Sequence, residues 1–162
     1  MSELVYRSMT LPDIEQVYEI ECSCFSQPWS VESLIGEVIR NDAASYVVAE
    51  DNGKIVGYAG MWQMFDEAHM TNIAVAAEYR CRGIATNLIL CLMRTAKANG
   101  GKRMTLEVRE FNHKAQRVYS ALGFRYAGTR RKYYSDTGEI LWNDSIDNTL
   151  RAHADGSCSE SL

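Results

Sequence analysis

Long apolar runs are missing from this sequence of 162 residues. The longest strongly hydrophobic stretch, residues 88–93, falls far short of the roughly 20 residues that a membrane-spanning helix needs. A basic excess is missing too. Seventeen Lys and Arg face 21 Asp and Glu, a net charge of −4, whereas a general nucleic-acid binder usually carries a positive surplus. That balance suits a cationic protein or an amine as partner, although so small a charge decides nothing alone. The cysteines lack the spacing of a metal site. Cys22 and Cys24 have no matching Cys or His pair downstream, and with Cys81, Cys91 and Cys158 they make an odd, irregular set of free thiols. The opening Met1-Ser2-Glu3-Leu4 lacks the basic-then-apolar layout of a signal peptide, so the expected location is cytoplasmic. Internal repeats and linkers are also absent. With 46% hydrophobic and 23% charged residues, the expectation is one domain over residues 1–150 and a polar, disordered tail over 151–162.

What is present is a readable order of elements. Residues 4–9 alternate as an opening strand. Thr10 can cap a helix with Pro12 and Asp13 in its first turn, running to about Cys24. Its stripe of Ile14, Val17, Tyr18 and Glu21 is only partly apolar. Pro28 breaks the helix, and Ser30 can cap a second over residues 31–40. Residues 45–49 and 55–65 read as antiparallel strands joined at Asn52-Gly53. Gly57 and Gly60 mark places where the second of these bends or admits a neighbour. Asp66-Glu67 forms a turn before a strand over 69–75. A helix over 83–99, a short strand over 104–108 and a helix from Asn112 to Leu122, closed by Gly123, come next. Residues 124–129 and 140–148 can pair as a final hairpin. The class is α/β (α+β), a mixed sheet covered by helices.

The chemistry concentrates where the fourth strand meets the third helix. Arg80-Cys81-Arg82-Gly83-Ile84-Ala85-Thr86 places a Gly and a small Ala at a helix start. The first N–H groups of a helix lack intrahelical partners and carry partial positive charge, which favours an anion such as a pyrophosphate. Arg80 and Arg82 would add charge. The same residues also read as a capped helix with two surface arginines. A dinucleotide fingerprint is excluded, because the loop has one Gly and follows a hairpin-connected strand.

Arg80-Cys81-Arg82-Gly83-Ile84-Ala85 resembles the R/Q-x-x-G-x-G/A signature of the GNAT acetyltransferases. Leu106-Glu107-Val108-Arg109-Glu110-Phe111-Asn112, then Ala115, Tyr119 and Leu122-Gly123-Phe124, resemble the second block of that family. Within it, Phe25, Pro28-Trp29-Ser30, Asp66-Glu67-Ala68, Asn72-Ile73-Ala74-Val75 and Arg130-Arg131-Lys132-Tyr133-Tyr134 look like the ribosomal-protein-alanine N-acetyltransferase subfamily. The similarity runs over roughly residues 4–147. Cys81 stands where the family usually has Arg, Gln or Gly, and Ala85 and Thr86 replace a commoner Gly and Arg; the signature permits Ala.

The resemblance implies a mixed, mostly antiparallel twisted sheet of about seven strands flanked by about four helices. It implies acetyl-CoA as co-substrate and no metal. The main chain of Ile73, Ala74 and Val75 would align the pantetheine arm, the loop from Arg80 to Thr86 (with Cys81, Arg82, Gly83, Ile84 and Ala85) would take the phosphates, and Asn112 would bond the cofactor. Glu107 would be the base and Tyr119 the acid that protonates the leaving thiolate. On the residues alone, Glu107 also reads as a carboxylate paired with Arg109 or Lys102, and Tyr119 as a core residue. Phe25 and Trp29 from one loop and Tyr133 and Tyr134 from another would flank the acceptor, with Asp66, Glu67 and Glu110 favouring basic residues after the first. The implied partner is the N-terminus of a basic protein, in the first instance the N-terminal alanine of a small-subunit ribosomal protein. A lysine or small-amine acetyltransferase and a non-catalytic acyl-CoA-binding module are the alternatives. The presence of both Glu107 and Tyr119 speaks against the module.

Overall fold

The computed structural model describes residues 4–25, 27–109, 112–130 and 139–146. The expected domain limit at residue 150, the tail, Cys158, Glu110, Tyr133 and Tyr134 lie outside them. Seven strands form one sheet in the order β1-β2-β3-β4-β5-β7-β6. They are β1 (Leu4–Ser8), β2 (Ala44–Asp51), β3 (Lys54–Met64), β4 (Glu67–Val75), β5 (Arg103–Arg109), β6 (Arg125–Arg130) and β7 (Glu139–Ser145). Only the β4–β5 contact is parallel. Four helices accompany the sheet: α1 (Ile14–Cys24), α2 (Val31–Ile39), α3 (Ile84–Ala98) and α4 (His113–Leu122). Among the described residues, no helix is long and apolar enough to cross a membrane.

The local signals act where the sequence puts them. Ser30 Oγ accepts the Ser33 N–H at 3.1 Å, and Asn112 Oδ1 accepts the Ala115 N–H at 3.2 Å, so each caps its helix. Gly123 ends α4 with φ of 109°, the left-handed conformation that costs an L side chain most. The first helix departs from expectation. Residues Leu11–Asp13 form a 3-10 turn, and α1 begins only at Ile14. The Asp13 carboxylate accepts from the Thr10 N–H at 2.8 Å, while the Asp13 N–H reaches the Thr10 carbonyl at 3.0 Å. A bidentate Arg7 at 2.7 and 2.8 Å pulls the same carboxylate toward β1, tightening this turn to i→i+3 bonds. The turn after β3 likewise holds Phe65 and Asp66, and Glu67 already opens β4.

Side chains of β2 alternate between two cores. In β2, Tyr46 and Val48 face α1 and α2 with Val17, Leu34 and Tyr58. Val47 and Ala49 face α3 and α4, where Leu88, Leu92, Met93, Leu106 and Leu122 pack. α3 is the interior helix: Leu88, Ile89, Leu90, Leu92 and Met93 have no exposed surface. Gly60 is required by contact. A Cβ there would lie 2.2 Å from the Tyr46 ring. That ring cannot retreat freely, since its hydroxyl bonds Glu37 at 3.2 Å and Thr71 at 3.3 Å. Gly60→Ala is therefore expected to lower stability by about 1–3 kcal/mol, the usual cost of overpacking, read from a urea-unfolding midpoint. An unchanged midpoint would mean that the ring moves without penalty.

Candidate functional site

The site begins with a break in the sheet. β4 and β5 pair over four positions, from Glu67 with Arg103 to Met70 with Leu106, and then part. A bulge coincides with the parting. On β3, Gly60 pairs with Asn72 while the next residue, Met61, pairs with Met70, so Thr71 has no opposite number. The bulge turns Thr71 and Asn72 to the same face of the sheet. Thr71 Oγ1 lies 3.3 Å from the Tyr46 hydroxyl and Asn72 Nδ2 lies 3.4 Å from the Tyr58 hydroxyl, both on the α1 side. Beyond the bulge, β4 continues through Ile73, Ala74 and Val75 with no strand at its β5 edge among the described residues.

The parting opens a cleft of about 470 Å³. Cys24, Phe25, Gln27 and Trp29, from the α1–α2 connection, form one wall. Met70, Thr71, Asn72 and Ile73 form the floor, while Glu107 and Val108 of β5 and Asn112 and Tyr119 of α4 form the other wall. Glu107 and Tyr119 thus meet at one opening. Tyr119 is 5% exposed, and burial pushes its hydroxyl up to about 12, so it stays protonated through any physiological pH. Its ring stands edge-on to Phe124, with 5.9 Å between centroids. Asn112 and Tyr119, two helical turns apart, share one face of α4 as their spacing requires. Asn112 spends its oxygen on the cap, so its amide nitrogen is the group that can meet a ligand.

The loop before α3 is built on left-handed backbone, with φ of 64° at Cys81 and 79° at Gly83. Gly83 is the N-cap, and no side chain caps α3, so its first N–H groups stay open to an anion. The arginines are already engaged. Arg80 donates Nε to the Val75 carbonyl at 3.2 Å and Nη2 to Cys24 Sγ at 3.4 Å; Arg82 lies over the Tyr79 ring, 5.0 Å from its centroid. Both guanidiniums remain exposed beside the loop. The Ile84 side chain is core, 1% exposed, and so is that of Ala74 at 7%. Only their main chains can serve a ligand. Ala85 and Thr86 are half-buried in the first turn.

One expected acceptor residue is not at the cleft. Glu67 opens β4 at the closed end of the β4–β5 pair, opposite Arg103, and lines a separate depression of about 350 Å³ with Asp66, Lys102 and Arg103. Glu67 precedes Asn72 by five positions of extended strand, roughly 17 Å at strand rise. Because β4 runs away from its turn toward the cleft, Asp66 and Glu67 are at the wrong end of it. That depression holds charges alone and lacks the apolar walls that orient a small ligand.

Conversely, Glu21 was read only as a polar break in the α1 stripe, and the structure brings it to the cleft. It is 2% exposed, and burial raises its pKa against the opposing effect of the Trp29 N–H. The signal was present: Glu21 follows the fully buried Val17 by four residues, so it lies on the inward face of α1 and needs partners there.

The family described as acetyltransferase (GNAT) matches residues 14–124. A Bacillus subtilis (strain 168) protein named as a candidate ribosomal protein bS18-alanine N-acetyltransferase is 41% identical over 139 residues, 84% of this chain and 92% of that one. The ribosomal protein bS18-alanine N-acetyltransferase of Escherichia coli (strain K12) is 32% identical over 132 residues, 80% of this chain and 86% of that one. The crystal structure of the ribosomal-protein-S18-alanine N-acetyltransferase from Escherichia coli superposes with a TM-score of 0.80 at 28% identity, covering 89% of this chain and 94% of that one.

With its pKa near 12, Tyr119 can hold a proton well into alkaline solution. Tyr119→Phe should lower kcat by about ten- to a hundredfold, with the fold kept. The wild-type pH–rate profile should show no decline from tyrosine ionisation between about pH 7 and 10, because the folded-state pKa lies above that window. A Tyr119→Phe enzyme of wild-type kcat, measured by release of free thiol, would remove Tyr119 from the chemistry.

Proposed function

The chain belongs to the GNAT acetyltransferase family, and from that premise we propose that it transfers acetyl from acetyl-CoA to the α-amine of a protein N-terminus, the N-terminal alanine of a small-subunit ribosomal protein. The observation that carries the acceptor class is the charge of the cleft. It is lined by two carboxylates, Glu21 and Glu107, and by no Lys or Arg among the described residues. Such a cleft attracts an amine and repels an acid. The relatives' names supply the alanine and the ribosomal protein. Ribosomal proteins are made in the cytoplasm, which is the location proposed here.

The residues present fit acetyl-CoA. The uncapped start of α3 at Gly83 offers N–H groups to phosphates, with Arg80 and Arg82 beside it. The β4 edge over Ile73, Ala74 and Val75, which no described strand covers, offers main-chain partners to amides in the manner of an added strand, with the Val75 carbonyl already held by Arg80. When bound, acetyl-CoA supplies the acetyl group as a thioester. An α-amine has a pKa of about 7.7–8.0, so roughly a tenth or more is neutral at physiological pH, and the base has modest work. Glu107, directly or through one water, takes the proton that the amine loses as its nitrogen bonds the acetyl carbon. Tyr119 gives its proton to the departing sulfur. Phe25, 39% exposed, and the half-buried Trp29 wall the acceptor side and restrict the first side chain to a small one. Tyr133 and Tyr134 are proposed as partners of these rings from the second loop.

Two measurements test this reading. Gly83→Glu places a carboxylate at the anion site and an L side chain at positive φ, and should abolish CoA binding in calorimetry while the fold persists. A peptide beginning Ala-Arg should be acetylated at least about tenfold faster than free lysine, a polyamine or a peptide with an acidic start. Blocking its α-amine should stop the reaction even with lysines left free. Equal acetylation of the blocked peptide would make this a lysine acetyltransferase.

A further inference from the structure

Glu21 occupies a position that an apolar residue would fill at lower desolvation cost. It lies on the inward face of α1, is 2% exposed, and lines the cleft. Its Oε2 accepts the main-chain N–H of Trp29 at 2.8 Å, across the turn that carries Phe25 and Gln27. Its Oε1 accepts the hydroxyl proton of Tyr58, a β3 residue with no exposed surface. The Tyr58 hydroxyl oxygen in turn lies 3.4 Å from Asn72 Nδ2, and Asn72 Oδ1 accepts the Thr71 hydroxyl at 2.8 Å. Asn72 and Thr71 are the bulge at which β4 leaves β5. One buried carboxylate therefore ties the α1–α2 loop to the point where the cleft opens. A leucine could fill the space but could not accept from both groups.

We propose that Glu21 is a positioning residue for the acceptor, setting the distance between the Phe25–Trp29 wall and the cleft floor so that the amine is presented to Glu107. This rests on the acetyl-transfer reading of the cleft. The route from Trp29 to the bulge does not include the loop at Gly83. Loss of Glu21 should thus loosen the acceptor wall and leave CoA affinity nearly intact.

The experiment compares wild type, Glu21→Ala and Glu21→Gln with an Ala-start peptide as acceptor. Glu21→Ala should raise the peptide KM about tenfold or more, the usual consequence of losing a hydrogen bond to a charged group. Its kcat at saturating peptide should change less than about threefold, and its CoA affinity in calorimetry less than about twofold. Glu21→Gln should recover part of the KM, since the amide oxygen can still accept the Trp29 N–H while the charge and the acceptor for the Tyr58 hydroxyl are lost. In the enzyme without acceptor, the Trp29 amide should exchange its hydrogen about tenfold or more faster in Glu21→Ala than in wild type. An unchanged peptide KM, unchanged Trp29 exchange, or a loss of CoA affinity as large as that of peptide affinity would each overturn the proposal. If Glu21→Ala does not fold, Tyr58→Phe takes its place, because it removes one hydroxyl and keeps the core volume; the same shifts, smaller in size, are expected, and their absence is equally decisive. Failure of wild type to acetylate the peptide would count against the acceptor assignment instead, and the exchange measurement, which needs no acceptor, would still decide the role of Glu21.

Discussion

The parting of β4 from β5 is the constraint on which the site depends. Parallel strands that stayed paired would seal the sheet and leave no cleft between β4 and β5. The unpaired Thr71 prevents this. It bends β4, turns two consecutive side chains to one face, and leaves Ile73 to Val75 without a strand partner on the β5 side among the described residues. Glu107 and Tyr119 then line one cleft, and α3 starts shortly after the unpaired end of β4. A free strand edge is a liability in most proteins. Here it is the surface that a strand-like cofactor arm would complete.

Opening a sheet weakens it, and the side facing α1 and α2 shows how the opening is held. The Tyr46 ring lies against Gly60, and its hydroxyl reaches Glu37 and Thr71. Glu37, 9% exposed, also accepts from Trp62 Nε1 at 2.6 Å and from Asn41 Nδ2 at 2.7 Å. With Glu21 and Tyr58, these residues place two buried carboxylates under the floor of the cleft, each satisfied by several donors. A polar network satisfied in this way specifies one arrangement of helix and strand, because any shift leaves a charge without partners. The apolar core on the α3 side has no such selectivity and supplies bulk stability instead.

The cleft also divides its labour by environment. Tyr119, buried and without a charged neighbour among the causes of its shift, is kept neutral and able to donate. Glu107 lies half-exposed on β5. The two side chains thus differ in burial and stand on two elements, β5 and α4, that line the same cleft.

Much of this was legible in the residues, and the rest was not, for one physical reason. Caps, turns and periodicity are local. Ser30, Asn112, Gly83 and Gly123 mark helix ends because the orphan N–H and C=O groups they serve are within four residues, and the alternation over residues 4–9 marks a strand. The sequence alone therefore determined the order of elements, the glycine-led start of α3 and the shared face of Asn112 and Tyr119. Register between distant strands is decided by packing that no neighbouring residue encodes. The insertion of β7 between β5 and β6, the bulge at Thr71 and the end of β4 at which Glu67 falls all emerged only when the sheet was assembled. Glu21 shows the boundary between the two. Its helical spacing determined that it points inward, but only the tertiary structure decided that Tyr58 and the Trp29 main chain would be waiting there.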